Sequence, residues 1–223
     1  MKKQLLAQAI AKFALGVLLV GTFIFLPAGT LYYERGWLLV GILFLPMFAA
    51  GLVMLWKKPS LLQSRLNVKE KARKQSLVVK LSGLMFICGF VCAGLDYRYG
   101  WSQLPTAVCI IGTVLFLLAY LAYAEVLREN AYLSRTIEVQ ENQCVVDTGM
   151  YGVVRHPMYA VTVVLFLSMP LVLGSLIAFV IFLLYIPIIA VRLLHEERFL
   201  EKELDGYAEY MKKVKYRLIP FVW

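Results

Sequence analysis

Long apolar runs recur along the chain, separated by short polar clusters. Four of them have the length of a membrane-spanning helix, which needs about 20 residues: Phe13–Leu31, Trp37–Trp56, Leu77–Leu95 and Leu104–Ala124. Tyrosine and tryptophan residues lie at their ends, as expected where amphipathic rings sit at headgroup depth. The pattern predicts four transmembrane helices.

A fifth apolar run is longer than one span. Ala160–Val191 holds 32 residues without Asp, Glu, Lys or Arg, too many for one straight helix and too few for two full spans. A hairpin fits, with its turn near Met169-Pro170 or Gly174-Ser175, because proline lacks an amide donor and glycine tolerates unusual dihedrals. We therefore predict an all-α integral membrane protein: four transmembrane helices, a carboxyl-terminal transmembrane helical hairpin (159–194) and a cytosolic tail helix.

Composition agrees with this class, and charge gives an orientation. Hydrophobic residues make up 61% of the chain, and the mean hydropathy is +0.74. With the amino terminus inside, only Arg35 and Arg98 of the 23 Lys and Arg fall in outer loops, so the positive-inside rule predicts cytoplasmic ends and a basic cytosolic loop at 57–80. The net charge of +9 then reflects basic flanks touching anionic lipid, and nucleic-acid binding is not expected.

Two regions are predicted: amino-terminal transmembrane helices with the basic loop (1–126) and a core with the candidate site (127–223). No signal-peptide cleavage pattern follows the first run, so we expect it to be retained. The four cysteines have no metal or disulfide spacing, and two histidines without acidic clusters argue against a metal site. Within the core, Thr136–Val139 and Gln143–Val146 are predicted to be short extended pieces, followed by a turn at 147–149.

Two polar clusters flank the hairpin, and a hairpin brings them to one membrane surface. The first runs from Gly149 to Tyr159 (GMYGVVRHPMY), and the second, Arg192–Arg198, contains the pair Glu196-Glu197. Together with the tail motifs 206–210 (GYAEY) and 214–220 (VKYRLIP), they resemble the isoprenylcysteine carboxyl methyltransferase superfamily, which includes phospholipid methyltransferases. The resemblance covers roughly 127–223. The chain departs from the family at Val161 and at Leu204-Asp205, where the family often has glycine and Phe-Gly.

The resemblance implies a membrane-embedded enzyme that binds S-adenosylmethionine at the cytosolic face without a Rossmann domain. It implies cofactor contacts from the R-H-P-x-Y segment and the paired glutamates. The cofactor-binding residues are then Tyr151, Arg155, His156, Pro157, Tyr159, Glu196 and Glu197.

The chemistry of these side chains suits such a site. Arg155 offers a forked cation for the cofactor carboxylate or for one of the glutamates. His156 can donate to a cofactor oxygen, Pro157 suits the first turn of the hairpin helix, and Tyr151 and Tyr159 can stack on adenine. The tyrosines are equally suited to a headgroup belt.

The two glutamates have different expected partners. Glu196 and Glu197 point about 100° apart on a helix, so one can face the pocket while the other meets Arg192 or a tail lysine. A carboxylate acceptor needs no base, only a cation such as Arg192 or Arg198, whereas an amine acceptor needs a base, for which Glu197 is the candidate.

The acceptor is expected to be hydrophobic, lipid-like or prenylated, and to enter from the bilayer. We expect a carboxylate such as an isoprenylcysteine-like group, with a phospholipid amine as the alternative. The short architecture suggests a prokaryotic inner or plasma membrane. The rival classes are a sterol-type reductase that uses NADPH, which needs more spans, and a transporter or structural protein, which predicts intramembrane charges that the spans almost entirely lack.

Overall fold

The structure, a computed structural model, describes residues 2–57, 59–66, 73–130, 132–133 and 139–223. In that part of the chain the regular elements are helical and no strand forms. The helices are α1 (Lys2–Ala28), α2 (Glu34–Lys57), α3 (Pro59–Leu66), α4 (Arg73–Tyr99), α5 (Thr106–Glu129), α6 (Pro157–Leu173), α7 (Leu176–Phe182), α8 (Tyr185–Glu203) and α9 (Tyr207–Lys213), with a 3-10 turn at Gly149–Gly152.

Among the described residues, five helical segments are long and apolar enough to cross a membrane: α1, α2, α4, α5 and the stretch Leu176–Glu203 that joins α7 and α8. The remaining apolar helix, α6, has only 17 residues. It is about 25 Å long, slightly less than the hydrocarbon core. The all-α integral membrane class is thus confirmed, and α6 with α7–α8 forms the expected hairpin.

The hairpin turns at Gly174-Ser175, the second of the two predicted positions. Gly174 adopts a left-handed conformation with φ 79° and ends α6, a conformation that glycine takes without steric cost. Ser175 caps α7 by accepting from the amide of Ala178 at 3.1 Å, and its hydroxyl donates to the buried carboxylate of Asp96 at 2.5 Å. Pro170, the other candidate, lies inside α6.

Small residues allow the helices to approach one another closely. A Cβ on Gly112 of α5 would lie 2.6 Å from the Cβ of Leu171 on α6, and one on Gly94 of α4 would lie 2.4 Å from the carbonyl oxygen of Ile24 on α1. Close backbone approach at glycine is typical of helix packing in membranes. The short helix α6 is therefore held along α5, with its amino-terminal end carrying the first polar cluster.

Two connecting segments differ from the prediction where the structure describes them. The basic connector predicted at 57–80 is largely helical where described, because α3 occupies Pro59–Leu66 and α4 begins at Arg73. The predicted extended piece at 136–139 lies outside the described residues except for Val139. The piece at 143–146 is irregular backbone and is not part of a strand.

Candidate active site

The first polar cluster leads directly into α6. The 3-10 turn Gly149–Gly152 precedes it, His156 is the residue before the helix, and Pro157 occupies the first turn, where a missing amide proton costs nothing. Gly149 has φ 51°, and a Cβ there would lie 1.6 Å from a carboxylate oxygen of Glu129. Glu129 in turn accepts from the amide of Met150 at 3.1 Å. Local backbone geometry thus sets where the cluster begins.

The tail pairs with this cluster through the main chain. The amide of Arg155 donates to the carbonyl of Tyr216 at 2.8 Å, and the amide of His156 donates to that of Arg217 at 2.9 Å. The Arg155 guanidinium also donates through Nη1 to the carbonyls of Val214 and Lys215, at 2.8 and 2.9 Å. The tail is therefore part of the site and crosses the start of α6.

Glu197 is the centre of a buried ionic cluster. Its Oε1 accepts from Arg155 Nε at 2.6 Å and lies 3.3 Å from His156 Nε2. Its Oε2 accepts from Arg217 Nε at 2.7 Å. Glu197, Arg155 and His156 are each at most 7% exposed. The free energy needed to remove a carboxylate from water is large when the buried charge has no partner. Two arginines and one imidazole around the Glu197 carboxylate offset this cost.

Glu196 faces the other way and belongs to a second polar group. The Tyr159 hydroxyl donates to Glu196 Oε2 and accepts from Arg192 Nε at 3.1 Å. The Tyr159 ring lies nearly parallel to that of His156, with centroids 5.7 Å apart. Arg192 and Glu196 are one turn apart on α8, so neighbouring positions on one helix face bring a cation and an anion to the same tyrosine.

These groups border one cavity, which we call the site cavity. Its walls come from four parts of the chain: the start of α6 and the cluster before it (Tyr151, Arg155, His156, Met158, Tyr159), α8 (Arg192, Glu196, Leu200), the segment after α5 (Asn130, Tyr132, Leu133 and 143–146), and the tail (Leu204, Tyr207, Tyr210). Carboxylate, cation, hydroxyl and apolar groups therefore face one space.

The tail helix closes the site cavity with two buried tyrosines. The Tyr210 hydroxyl donates to the carbonyl of Tyr151 at 2.7 Å. The buried Tyr207 hydroxyl, in contrast, has no hydrogen-bond partner among the described residues. Burial, and then the nearby charges of Glu197 and Glu196, raise the pKa of Tyr207 above its usual range, so this hydroxyl stays protonated and keeps its proton to donate.

An ion pair outside the membrane fastens the tail helix to the cavity wall. Lys213 Nζ lies 2.6 Å from Asp147 Oδ2, and this ammonium holds the pKa of the Asp147 carboxyl below its usual range. Both side chains are well exposed, so the pair fixes geometry more than it adds stability. It connects α9 to the segment that supplies Val145 and Val146 to the cavity.

The residues predicted from sequence are divided between the cavity and the wall behind it. Tyr151, Arg155, His156, Tyr159, Arg192 and Glu196 line the cavity, whereas Pro157 and Glu197 lie behind it and Arg198 is exposed on α8. The glutamates diverge as predicted. However, the glutamate that points away from the cavity, Glu197, contacts Arg155, Arg217 and His156 and not Arg192 or a tail lysine. Arg192 instead shares the Tyr159 hydroxyl with Glu196.

Sequence reasoning missed the contribution of the tail, and it left open whether the segment after α5 forms a pocket wall or an ordinary connector. Arg217 and Tyr207 lie within the tail motifs, but the motifs alone indicate no role for either side chain. The pattern at residues 143–146 indicates a short extended piece, and it does not show that these residues line the cavity.

A sequence comparison connects this geometry with a class of proteins. Residues 107–205, somewhat under half of the chain, match the sequence model of the phospholipid methyltransferase family. No curated protein matches the chain. The matched segment begins at the start of α5 and includes both hairpin arms and the cluster before them, so it contains most of the site cavity.

The chain therefore combines helices able to cross a membrane with a segment similar to a methyltransferase family. The matched segment is similar to the phospholipid methyltransferase family, in agreement with the resemblance that the motifs indicate. It extends 20 residues further towards the amino terminus than the predicted core at 127–223.

Proposed function

We propose that the protein transfers a methyl group from S-adenosylmethionine to a hydrophobic acceptor that resides in the membrane, at the cytosolic face. The observation that carries this proposal is the site cavity itself. It lies at the end of the hairpin and mostly within the segment that matches the methyltransferase family, and its wall includes Glu196, Arg192 and, from the tail beyond that segment, Tyr207.

The side chains present fit the proposed cofactor. The Tyr207 hydroxyl is buried without a partner among the described residues, and such a group costs free energy until a ligand satisfies it. Glu196 supplies an acceptor for ribose hydroxyls and a charge opposite to a sulfonium, while Tyr151 and His156 offer flat rings for adenine. When bound, S-adenosylmethionine supplies an activated methyl group, so the protein has mainly to position the acceptor and exclude water.

Arg155 and Glu197 have a positioning role in this proposal. Their mutual ion pair, with Arg217 and His156, holds the tail against the start of α6. Because the Glu197 oxygens are occupied by these donors and the residue does not line the cavity, we assign direct cofactor contact to Glu196.

For the acceptor we propose a carboxylate, held by Arg192. The guanidinium lies in the cavity wall and shares the Tyr159 hydroxyl with Glu196, so a planar, forked cation is available next to the proposed cofactor position. Methylation of an ionised carboxylate requires no general base. Arg198 is exposed and takes no part in this arrangement.

A phospholipid amine is the second candidate, favoured by Glu196 in the cavity wall. An amine must lose its proton before it attacks, and a carboxylate within hydrogen-bond reach can accept that proton. The family description also names phospholipids. Because Glu197 does not line the cavity, Glu196 would act as the general base.

Binding of S-adenosylmethionine to the purified protein in detergent tests the proposal, measured by calorimetry beside its demethylated product and NADPH. Glu196→Gln should weaken cofactor binding about ten- to a hundredfold, because a charged contact contributes roughly 1.5–3 kcal/mol. The matched control is Glu201→Gln, an exposed glutamate of the same helix. Binding of NADPH alone, or equal affinities in both variants, would contradict the proposal.

A radiolabelled-methyl assay on total membrane lipids and lipidated peptides separates the two acceptors. A methyl ester releases its label as volatile methanol under mild base, whereas an N-methyl group retains it. Release of the label supports the carboxylate acceptor, and base-stable label in amine headgroups supports the second candidate.

A further inference from the structure

The tail ends in a tight loop with an apolar tip, residues 219–222, which we call the tail tip. Phe221 is 88% exposed, Val222 75% and Ile219 55%. Three large apolar side chains therefore project together from a segment outside the membrane-spanning helices. Contiguous exposed apolar surface of this kind marks a contact site for a membrane or a protein.

Hydrogen bonds hold the tail tip in this exposed position. The amides of Arg217, Leu218 and Ile219 donate to the main-chain oxygen of Trp223, at 2.9, 2.9 and 3.1 Å. Leu218 and Trp223 pack against the main hydrophobic core, so both ends of the loop are fixed. Phe221 has φ 65°, a left-handed conformation that is uncommon for a bulky side chain. The backbone thus keeps the apolar side chains outward rather than folding them back.

The position of the loop points to the bilayer as its partner. Main-chain bonds from Arg155 and His156 to the carbonyls of Tyr216 and Arg217 place the loop beside the first residue of the apolar helix α6. Apolar side chains at this depth reach the boundary between headgroups and acyl chains, where aromatic and aliphatic groups bind.

The charges around the tail tip complement an anionic surface. Lys212 and Lys215 are exposed on the segment that leads into the loop. Basic residues near a negatively charged leaflet are attracted to it. An apolar tip next to exposed lysines is the combination expected of an interfacial membrane anchor.

We propose that the tail tip is a membrane anchor that inserts Ile219, Phe221 and Val222 into the interfacial region of an anionic bilayer leaflet. The same tail segment delivers Arg217 to Glu197 and two carbonyls to Arg155. Bilayer contact therefore holds the tail over the site cavity. This inference does not depend on the reaction that the site performs.

Depth measurement on the full chain tests the anchor. A nitroxide is attached at Phe221→Cys, and separately at Ile219→Cys, in a protein whose native cysteines are replaced by alanine. The protein is placed in vesicles of equal parts phosphatidylcholine and phosphatidylglycerol. The controls are Val164→Cys on the exposed side of α6 and Glu209→Cys on α9.

The measured quantity is the ratio of the collision rate with dissolved oxygen to that with a water-soluble nickel complex. We expect this ratio at the tip labels to equal that at the Val164 label and to be severalfold higher than that at the Glu209 label. Tip labels that resemble Glu209 would overturn the proposal. So would low accessibility to both reagents, because it indicates burial against protein, for example a second copy. If the tip labels lie equally deep in vesicles of pure phosphatidylcholine, the proposed preference for an anionic leaflet is wrong.

If removal of the cysteines prevents folding, Phe221→Trp in the otherwise unchanged chain gives a second measurement. Acyl-chain-brominated phosphatidylcholine should quench the added fluorescence more strongly than the average of the native tryptophans. No added quenching relative to the parent protein would count against insertion.

Discussion

Glu196 and Glu197 are neighbours in the chain but belong to different environments. Glu196 accepts from the Tyr159 hydroxyl at the wall of the site cavity, whereas Glu197, 5% exposed, accepts from Arg155 at 2.6 Å behind that wall. One helix turn thus supplies a carboxylate at the cavity, Glu196, and a carboxylate that holds the structure together, Glu197. The two should therefore respond differently to the same chemical change.

Replacement of Glu197 should lower stability sharply. Glu197→Gln removes the charge that compensates Arg155 and Arg217, and breaking a buried ion pair from one side costs about 3–5 kcal/mol. The measurement is thermal unfolding in detergent. Glu201→Gln, exposed on the same helix, is the control and should melt like the parent. Equal melting of Glu197→Gln and the parent would mean that the ionic cluster does not support the fold.

Two tyrosines of α9 should respond with opposite signs. The Tyr207 hydroxyl is buried without a partner among the described residues. Tyr207→Phe should therefore stabilise the ligand-free protein by about 1–3 kcal/mol, the cost of an unsatisfied buried group. Tyr210→Phe removes the bond to the carbonyl of Tyr151 and should destabilise it by about 1 kcal/mol.

Cofactor titration of the same pair adds an independent readout. Tyr207→Phe should weaken binding of S-adenosylmethionine although it stabilises the free protein, because Tyr207 lines the cavity and its hydroxyl is the donor that we propose for the cofactor. A Tyr207→Phe protein that is both less stable and fully able to bind would refute the role given to this hydroxyl.

Much of this arrangement follows from local rules. The 32-residue uncharged run is longer than one span, and its length alone requires the hairpin that brings the two polar clusters together. The rotation of about 100° per residue separates Glu196 from Glu197. Neither rule says which glutamate turns inward, because that depends on Arg217, which lies 20 residues further along the chain and reaches Glu197 only through the fold of the tail.

The cavity wall shows where local rules stop. Gln143–Val146 line the site in irregular backbone, whose position is set by contacts such as Lys213 with Asp147 and not by periodicity. Likewise, a helical pattern could not distinguish Met169-Pro170 from Gly174-Ser175 as the turn. The bonds of Ser175 to Asp96 and Ala178 determine that choice, and they join distant segments.

Gly149 should not tolerate a side chain. It combines φ 51° with a Cβ position 1.6 Å from a Glu129 oxygen, so Gly149→Ala must displace Glu129 or the 3-10 turn that places Tyr151. We expect reduced stability and weaker cofactor binding. Gly83→Ala, where an added Cβ meets nothing within 4 Å, is the control and should be neutral or slightly stabilising because alanine favours helix. Equal behaviour of the two variants would show that the turn adapts.

The two arginines of α8 give the sharpest test of the acceptor side. Arg192 lines the site cavity and donates to Tyr159 at 3.1 Å, whereas Arg198 is exposed. Arg192→Lys keeps the charge but loses the planar fork that can hold a carboxylate with two bonds. We expect it to bind S-adenosylmethionine within about threefold of the parent but to lose at least tenfold in turnover, about 1.4 kcal/mol of transition-state stabilisation. Arg198→Lys, the matched control, should be unaffected in both measurements. Full turnover in Arg192→Lys, with base-stable label in amine headgroups, would remove the carboxylate acceptor and leave the phospholipid amine with Glu196 as its base.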